Sequence, residues 1–155
     1  MLCIMAMSCR RPLTILQVED TPTDADLTAY AMNLGDVPHC LHVVTDGAQA
    51  IDFLKRAGQY CDAARPDLIL LDLELPRLNG NEVLKFIKAD EELKAIPVIV
   101  FTSSDAAESK RHAYELHANS YVVKPIDMVT FTKKVQSIAD YWGNTSEIDI
   151  IPVIK

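Results

Sequence analysis

Five short, nearly unbroken apolar runs constrain this chain more than any other feature: residues 13–18, 41–44, 67–71, 97–101 and 121–123, all rich in Val, Ile and Leu. Each is too short for a core helix, and the hydrophobicity is continuous where a strand with one wet face would alternate. Such runs predict strands covered on both faces, as in a parallel sheet held between two layers of helices.

Amphipathic stretches separate the runs. Leu27, Tyr30, Ala31 and Leu34 follow helical spacing, as do Ala50, Ile51 and Leu54, and then Val83, Leu84 and Ile87. The first of these helices should start near Thr21, where Thr21-Pro22-Thr23-Asp24 offers a capping hydroxyl, a proline at the first helical position and an acid in the first turn. A fourth, about 105–116, has mainly Ala106, Ala107, Ala113, Tyr114 and Leu116 to bury and should be the least firmly docked. A closing helix carries Met128, Phe131, Val135, Ile138 and Trp142 on one stripe. Strand and helix thus alternate five times, which predicts a single α/β domain with a doubly wound five-stranded parallel sheet and helices on both faces. By analogy with flavodoxin-like sheets the expected strand order is 2-1-3-4-5.

The 155 residues suffice for one domain. A net charge of -7 leaves no broad basic surface, so direct contact with nucleic acid or anionic lipid is not expected. No apolar run approaches the roughly 18 residues of a membrane span, and residues 1–11 do not form a secretory leader, so the expected compartment is the cytoplasm. Cys3, Cys9, Cys40 and Cys61 form no C-x-x-C pair and read as buried or incidental thiols.

Ligands of doubly wound sheets bind beyond the carboxyl ends of the strands. The residues leaving four of the five runs are Glu19-Asp20, Asp72, Thr102 and Lys124. Singly, each has a structural explanation as a solvated turn, a cap or a surface lysine. Together they form a constellation in which the carboxylates repel one another unless a cation or protons are taken up. Oxygen ligands without paired His or Cys select a hard ion, and a site that also meets phosphate suits Mg2+ better than calcium. His39, His42, His112 and His117 lie away from the strand ends and are not expected as ligands. The same residues suit phosphoryl transfer, with Asp72 as nucleophile, and Lys124 and Thr102 as donors to phosphoryl oxygens.

These residues resemble the response-regulator receiver family of two-component systems. The likeness rests on Val18-Glu19-Asp20, the run DLILLDLELP at 67–76, Phe101-Thr102-Ser103-Ser104, and Tyr121-Val122-Val123-Lys124-Pro125, in that order along the chain. Within the family, residues 42–60, 65–100 and 116–142 are most similar to the small regulators associated with phytochrome-type sensor histidine kinases. The resemblance implies that Asp72 accepts the phosphoryl group, that Glu19, Asp20, Asp72 and the backbone carbonyl of Glu74 hold the metal, and that Thr102 and Lys124 contact the phosphoryl group. It further implies Tyr121 as an aromatic switch that turns inward with Thr102 on activation, a cis Lys124–Pro125 bond, and a switch that is not an enzyme acting on outside substrates. Two positions depart from the pattern: Glu19 stands where aspartate is commoner, and Asn79 precedes Gly80 where many receivers have aspartate.

The receiver pattern spans 13–142, leaving an extension at 1–12 and a tail at 143–155 too short for an output domain. Signalling should therefore leave through protein contacts. The tail holds Ile148, Ile150, Ile151, Val153 and Ile154, which the receiver core does not need, and this predicts a homodimer with the tail in its interface. The family resemblance implies pairing through the fourth helix, fifth strand and fifth helix. The competing class is an aspartyl-nucleophile phosphohydrolase or small-molecule phosphotransferase. Against it, Glu74 stands where those hydrolases carry a second aspartate, and no glycine-rich phosphate loop follows a strand.

Overall fold

A computed structural model describes residues 11–146. Five parallel strands form one sheet in the order β2-β1-β3-β4-β5, with β1 at Leu13–Val18, β2 at His39–Val44, β3 at Leu68–Leu71, β4 at Val98–Thr102 and β5 at Ser120–Val123. The helices are α1 at Pro22–Leu34, α2 at Gly47–Lys55, α3 at Gly80–Ala89, α4 at Ala107–Glu115 and α5 at Met128–Asp140. A short 3-10 turn at Gly58–Tyr60 precedes β3, and a π-helical turn at Tyr141–Thr145 follows α5.

The runs of the three central strands β1, β3 and β4 are buried on both faces, as expected of a covered parallel sheet, while the edge strands β2 and β5 are only partly covered. Leu16, Val18, Ile69, Leu71, Val98 and Val100 face α2 and α3, meeting Phe53, Leu54, Val83, Leu84 and Ile87. Alternate residues Leu13, Ile15, Leu68, Leu70, Ile99 and Phe101 face the opposite way, onto Ala31 and Met32 of α1 and Phe131, Val135 and Ala139 of α5. The period of two thus distributes each strand between two cores.

Helix α1 buries only part of the expected stripe, Ala31 fully and Leu27 in part. Its buried residues are Ala25, Thr28, Ala31 and Met32, while Tyr30 and Leu34 stay about half exposed. Burial of Thr28 is possible because its hydroxyl donates to the Asp24 carbonyl at 2.9 Å and accepts from Gln17 Nε2 at 3.1 Å. The small alanines then let the helix close on the sheet. Thr21 is the N-cap and Pro22 follows it, but the Thr21 hydroxyl makes no capping bond. Met128, expected on the buried stripe of α5, is exposed at that helix's first residue, where Asp127 caps the Thr130 N–H at 2.7 Å. Helix α4 buries only Ala113, in keeping with its weak apolar content. The Lys124–Pro125 bond, expected to be cis, is trans, the isomer favoured at X-Pro bonds by about 0.5–1 kcal/mol.

Three features level the carboxyl edge of the sheet. Val18 pairs with Leu71, and Leu71 with Val100. The ladder continues one step past the strands through Glu19 N–H to Val44 O, Asp72 N–H to Val18 O and Lys124 N–H to Thr102 O, at 2.8–3.1 Å. Finally, Gly80 opens α3 against the backbone after β3, where a Cβ would stand 2.3 Å from the Asp72 carbonyl oxygen and 2.6 Å from Leu73 Cα. Only glycine permits that approach.

Candidate functional site

Because these ladder bonds fix the backbones of Glu19, Asp72 and Lys124 at one edge, their side chains converge. Glu19 and Asp72 are buried and Asp20 is exposed, yet the three offer carboxylate oxygens that lie within 4.8 Å of one another. They are the sole group of three or more potential metal ligands among the described residues. The histidines take no part in that group: His39 contacts the Val37 carbonyl, His42 packs at a tilt against Phe53, and His112 faces Glu115.

Lys124 lies across the crevice with its side chain buried. Its ammonium donates to Asp72 Oδ2 at 3.0 Å, to Asp24 Oδ2 at 2.9 Å and to Glu19 Oε2. The other oxygen of Asp72 accepts the Glu74 N–H at 3.0 Å, and Glu19 Oε1 accepts the Thr21 N–H at 3.1 Å. Burial pushes the Glu19 carboxyl up to about 7, aided by the charge of Asp72 and opposed by the hydrogen bond and charge of Lys124. For Lys124 burial acts downward, but the hydrogen bonds it donates to Glu19 and Asp24 and the charges of Asp72 and Glu19 outweigh it, so the ammonium is held above its usual range.

Thr102 ends β4 fully buried, and its hydroxyl oxygen has no hydrogen-bond partner among the described residues. A buried polar atom without a partner costs about 1–3 kcal/mol, so this hydroxyl is poised for an acceptor the protein does not itself provide. The donor set therefore fits both a divalent cation and an anionic group: carboxylates for the ion, an ammonium and a free hydroxyl for the anion.

Tyr121 lies on β5 away from the acids, half-buried, with its hydroxyl donating to the Ser104 carbonyl at 2.8 Å in the loop after β4. Its own N–H donates to the Tyr114 hydroxyl of α4 at 3.1 Å. Tyr121 borders a groove of about 490 Å3 between α4, β5 and α5, whose wall includes Lys110, Tyr114, Val122, Lys134 and Ile138.

Sequence reasoning placed Glu19, Asp20, Asp72, Thr102 and Lys124 at one sheet edge, and the structure brings them to it. It missed Asp24. That residue satisfied the reading of an acid in a helix's first turn, which left its carboxylate no further role. The available signal was its place in the first turn of the helix that directly follows the Glu19-Asp20 strand end.

Comparison with known proteins agrees with this geometry. Residues 15–136 match the response regulator receiver domain family. Response regulator Rcp1 of Synechocystis sp. is 40% identical over 134 residues, spanning 86% of this chain and 91% of that protein. The crystal structure of the phosphorylated cyanobacterial phytochrome response regulator RcpA superposes with a TM-score of 0.86 at 39% identity, covering 89% of this chain and 99% of the other. The Mn(2+)-bound form of Rcp1 gives 0.84 at 39% identity over 88% and 99% of the two chains. With its 2-1-3-4-5 sheet, its acid cluster at the strand ends and a match over most of its length, the chain belongs to the response regulator receiver domain family.

Proposed function

We propose that this receiver accepts a phosphoryl group on Asp72 from a sensor histidine kinase and signals through protein contacts. The observation that carries the reading is the unpartnered, fully buried Thr102 hydroxyl at the same edge as the Lys124–Asp72 pair. A phosphoryl group on Asp72 gives both donors an acceptor. In the transfer, a carboxylate oxygen of Asp72 attacks phosphorus, the P–N bond to the kinase histidine breaks, and the imidazole leaves with the electron pair and takes up a proton. Lys124 and Thr102 hold phosphoryl oxygens in place as the bond forms.

Glu19, Asp20, Asp72 and the backbone carbonyl of Glu74 would hold Mg2+, which when bound neutralises charge between Asp72 and the incoming phosphoryl oxygens. Support comes from the three clustered carboxylates and from the metal-bound relative. Tyr121 and Thr102 form the switch: a Thr102 hydroxyl drawn to the phosphoryl group vacates space behind it, into which the Tyr121 ring turns once it leaves the Ser104 carbonyl. The weakly docked α4 is the element this bias moves.

A phytochrome-type kinase is the partner favoured by the names of the relatives. A homodimer through α4, β5 and α5 fits the groove there, and the apolar tail that motivates it lies outside the described residues. The receiver unit is 13–142. No helix among the described residues is long and apolar enough to cross a membrane, and the net charge of -7 argues against direct nucleic-acid contact; the cytoplasm is the compartment proposed for a receiver that meets a sensor kinase.

Label transfer from autophosphorylated phytochrome-type kinases, compared with unrelated histidine kinases, tests partner and function together. Rapid transfer to one phosphoryl per chain is expected. Continuous release of phosphate from a generic phosphomonoester would instead favour a hydrolase.

A further inference from the structure

The ammonium of Lys124 has three N–H donors, and each is directed at a different carboxylate: Glu19, Asp24 and Asp72. A phosphoryl oxygen can be bound only when at least one of these bonds is given up. Glu19 and Asp72 belong to the cluster of three acids able to ligate a cation, and Asp24 does not. Ion binding and phosphorylation therefore draw on Glu19 and Asp72 while leaving Asp24 in place.

Asp24 is also tethered from outside the site through its main chain. Its carbonyl accepts the Thr28 hydroxyl, which in turn accepts from Gln17 Nε2 inside β1, so the first turn of α1 is tied to the sheet. The side chain stands at the mouth of the crevice, about a third exposed, whereas those of Glu19 and Asp72 are buried.

From this geometry we propose that Asp24 is a positioning residue for phosphoryl transfer: it holds one N–H of Lys124 so that the other two are released toward the phosphoryl group with the ammonium already in place. The proposal rests on Asp72 being the phosphoacceptor. Asp24 touches neither the reacting atoms nor the ion. It acts through Lys124, joining the start of α1 to the end of β5, 100 residues apart in sequence.

The test uses the full chain and the variants Asp24→Ala, Asp24→Ser and Asp24→Asn, with urea unfolding to confirm the fold of each. Two quantities are measured: the maximal rate of Asp72 labelling by acetyl phosphate at saturating magnesium, and the affinity for beryllofluoride, a phosphoryl mimic that reads Lys124 placement without covalent chemistry. A partly exposed, well-oriented ion pair corresponds to about a fivefold effect, so Asp24→Ala and Asp24→Ser should lose about fivefold in both. Asp24→Asn, whose amide oxygen still accepts from the ammonium, should stay within about twofold. The half-saturating magnesium concentration should be unchanged in all three. Natural rates and affinities in the folded Ala and Ser variants would overturn the proposal, as would faster labelling, which would make Asp24 a competitor for Lys124. A change confined to magnesium affinity would overturn it as well, by assigning Asp24 to the ion. If the natural chain itself neither labels nor binds beryllofluoride, the phosphoacceptor reading fails first and takes this one with it.

Discussion

Replacing Lys124 by methionine removes an ammonium but keeps most of the stem's volume. In the metal-free protein this leaves Glu19 and Asp72 buried without their cation, with Asp24 beside them. Removing one partner of a buried ion pair typically costs about 3–5 kcal/mol. Here the cost has a ceiling, because Glu19, already pushed up to about 7, escapes it by taking a proton. The expected loss at pH 7 in chelator is therefore at or below the lower end of that range, about 3 kcal/mol or less, and comes mainly from Asp72 losing its partner. It should narrow toward pH 5.5, where protons replace the missing charge, and on adding magnesium, which supplies positive charge to the same acids. Urea titration followed by Trp142 fluorescence measures this, since that single tryptophan packs edge-on to Tyr141 at the end of α5. A loss under about 0.5 kcal/mol, the usual range for surface substitutions, or a loss insensitive to both pH and magnesium, would refute the electrostatic account of the crevice.

Gly80→Ala forces a Cβ against the Asp72 carbonyl and should cost at least about 1–3 kcal/mol while slowing Asp72 labelling, because the clash moves the phosphoacceptor's own backbone; urea titration and acetyl-phosphate labelling of the variant check both. Glu19 has a folded-state value near 7, above its ordinary 4.5, so the folded metal-free chain holds more protons than the unfolded one between those values. Stability from this group is accordingly lost as pH rises from about 4.5 to about 7. Magnesium expels the same proton, so its apparent affinity should rise with pH up to about 7 and then level, and a pH-independent affinity between 5.5 and 7.5 would contradict this assignment. Replacing Glu19 and Asp20 together by their amides should remove magnesium-dependent labelling. Sedimentation of the full chain and of one ending at Trp142, with and without acetyl phosphate and magnesium, should show a dimer that weakens on truncation, and a monomer throughout would exclude it.

The sheet was legible in the sequence because covered strands leave short runs dominated by Val, Ile and Leu, and because the polar residues after four of the five runs then lie at one edge. Five of the site's side chains followed from that alone. The face of α1 was only partly legible: Ala31 and Leu27 do pack on the core. Its large residues Tyr30 and Leu34 follow the helical period but point to solvent, while Thr28 is buried by virtue of two hydrogen bonds that depend on Gln17 in β1 and on the helix's own carbonyl. Periodicity weighs side-chain size and polarity, not the satisfaction of a particular hydroxyl. Asp24 escaped for a related reason: its partner lies 100 residues away, and a local rule already accounted for it. The trans state of Lys124–Pro125 differs from the family pattern, and nothing in the residues themselves distinguishes the isomers.

The most direct measurement is the intact mass of the chain after incubation with acetyl phosphate, in magnesium and in chelator, for the natural protein and for Asp72→Asn. The natural chain with magnesium should gain the mass of one phosphoryl group, labile to base, while the chelated sample and the folded Asp72→Asn variant should gain none. A phosphoryl adduct of equal yield on Asp72→Asn, or one formed as readily without magnesium, would contradict the assignment of Asp72 as the metal-assisted phosphoacceptor.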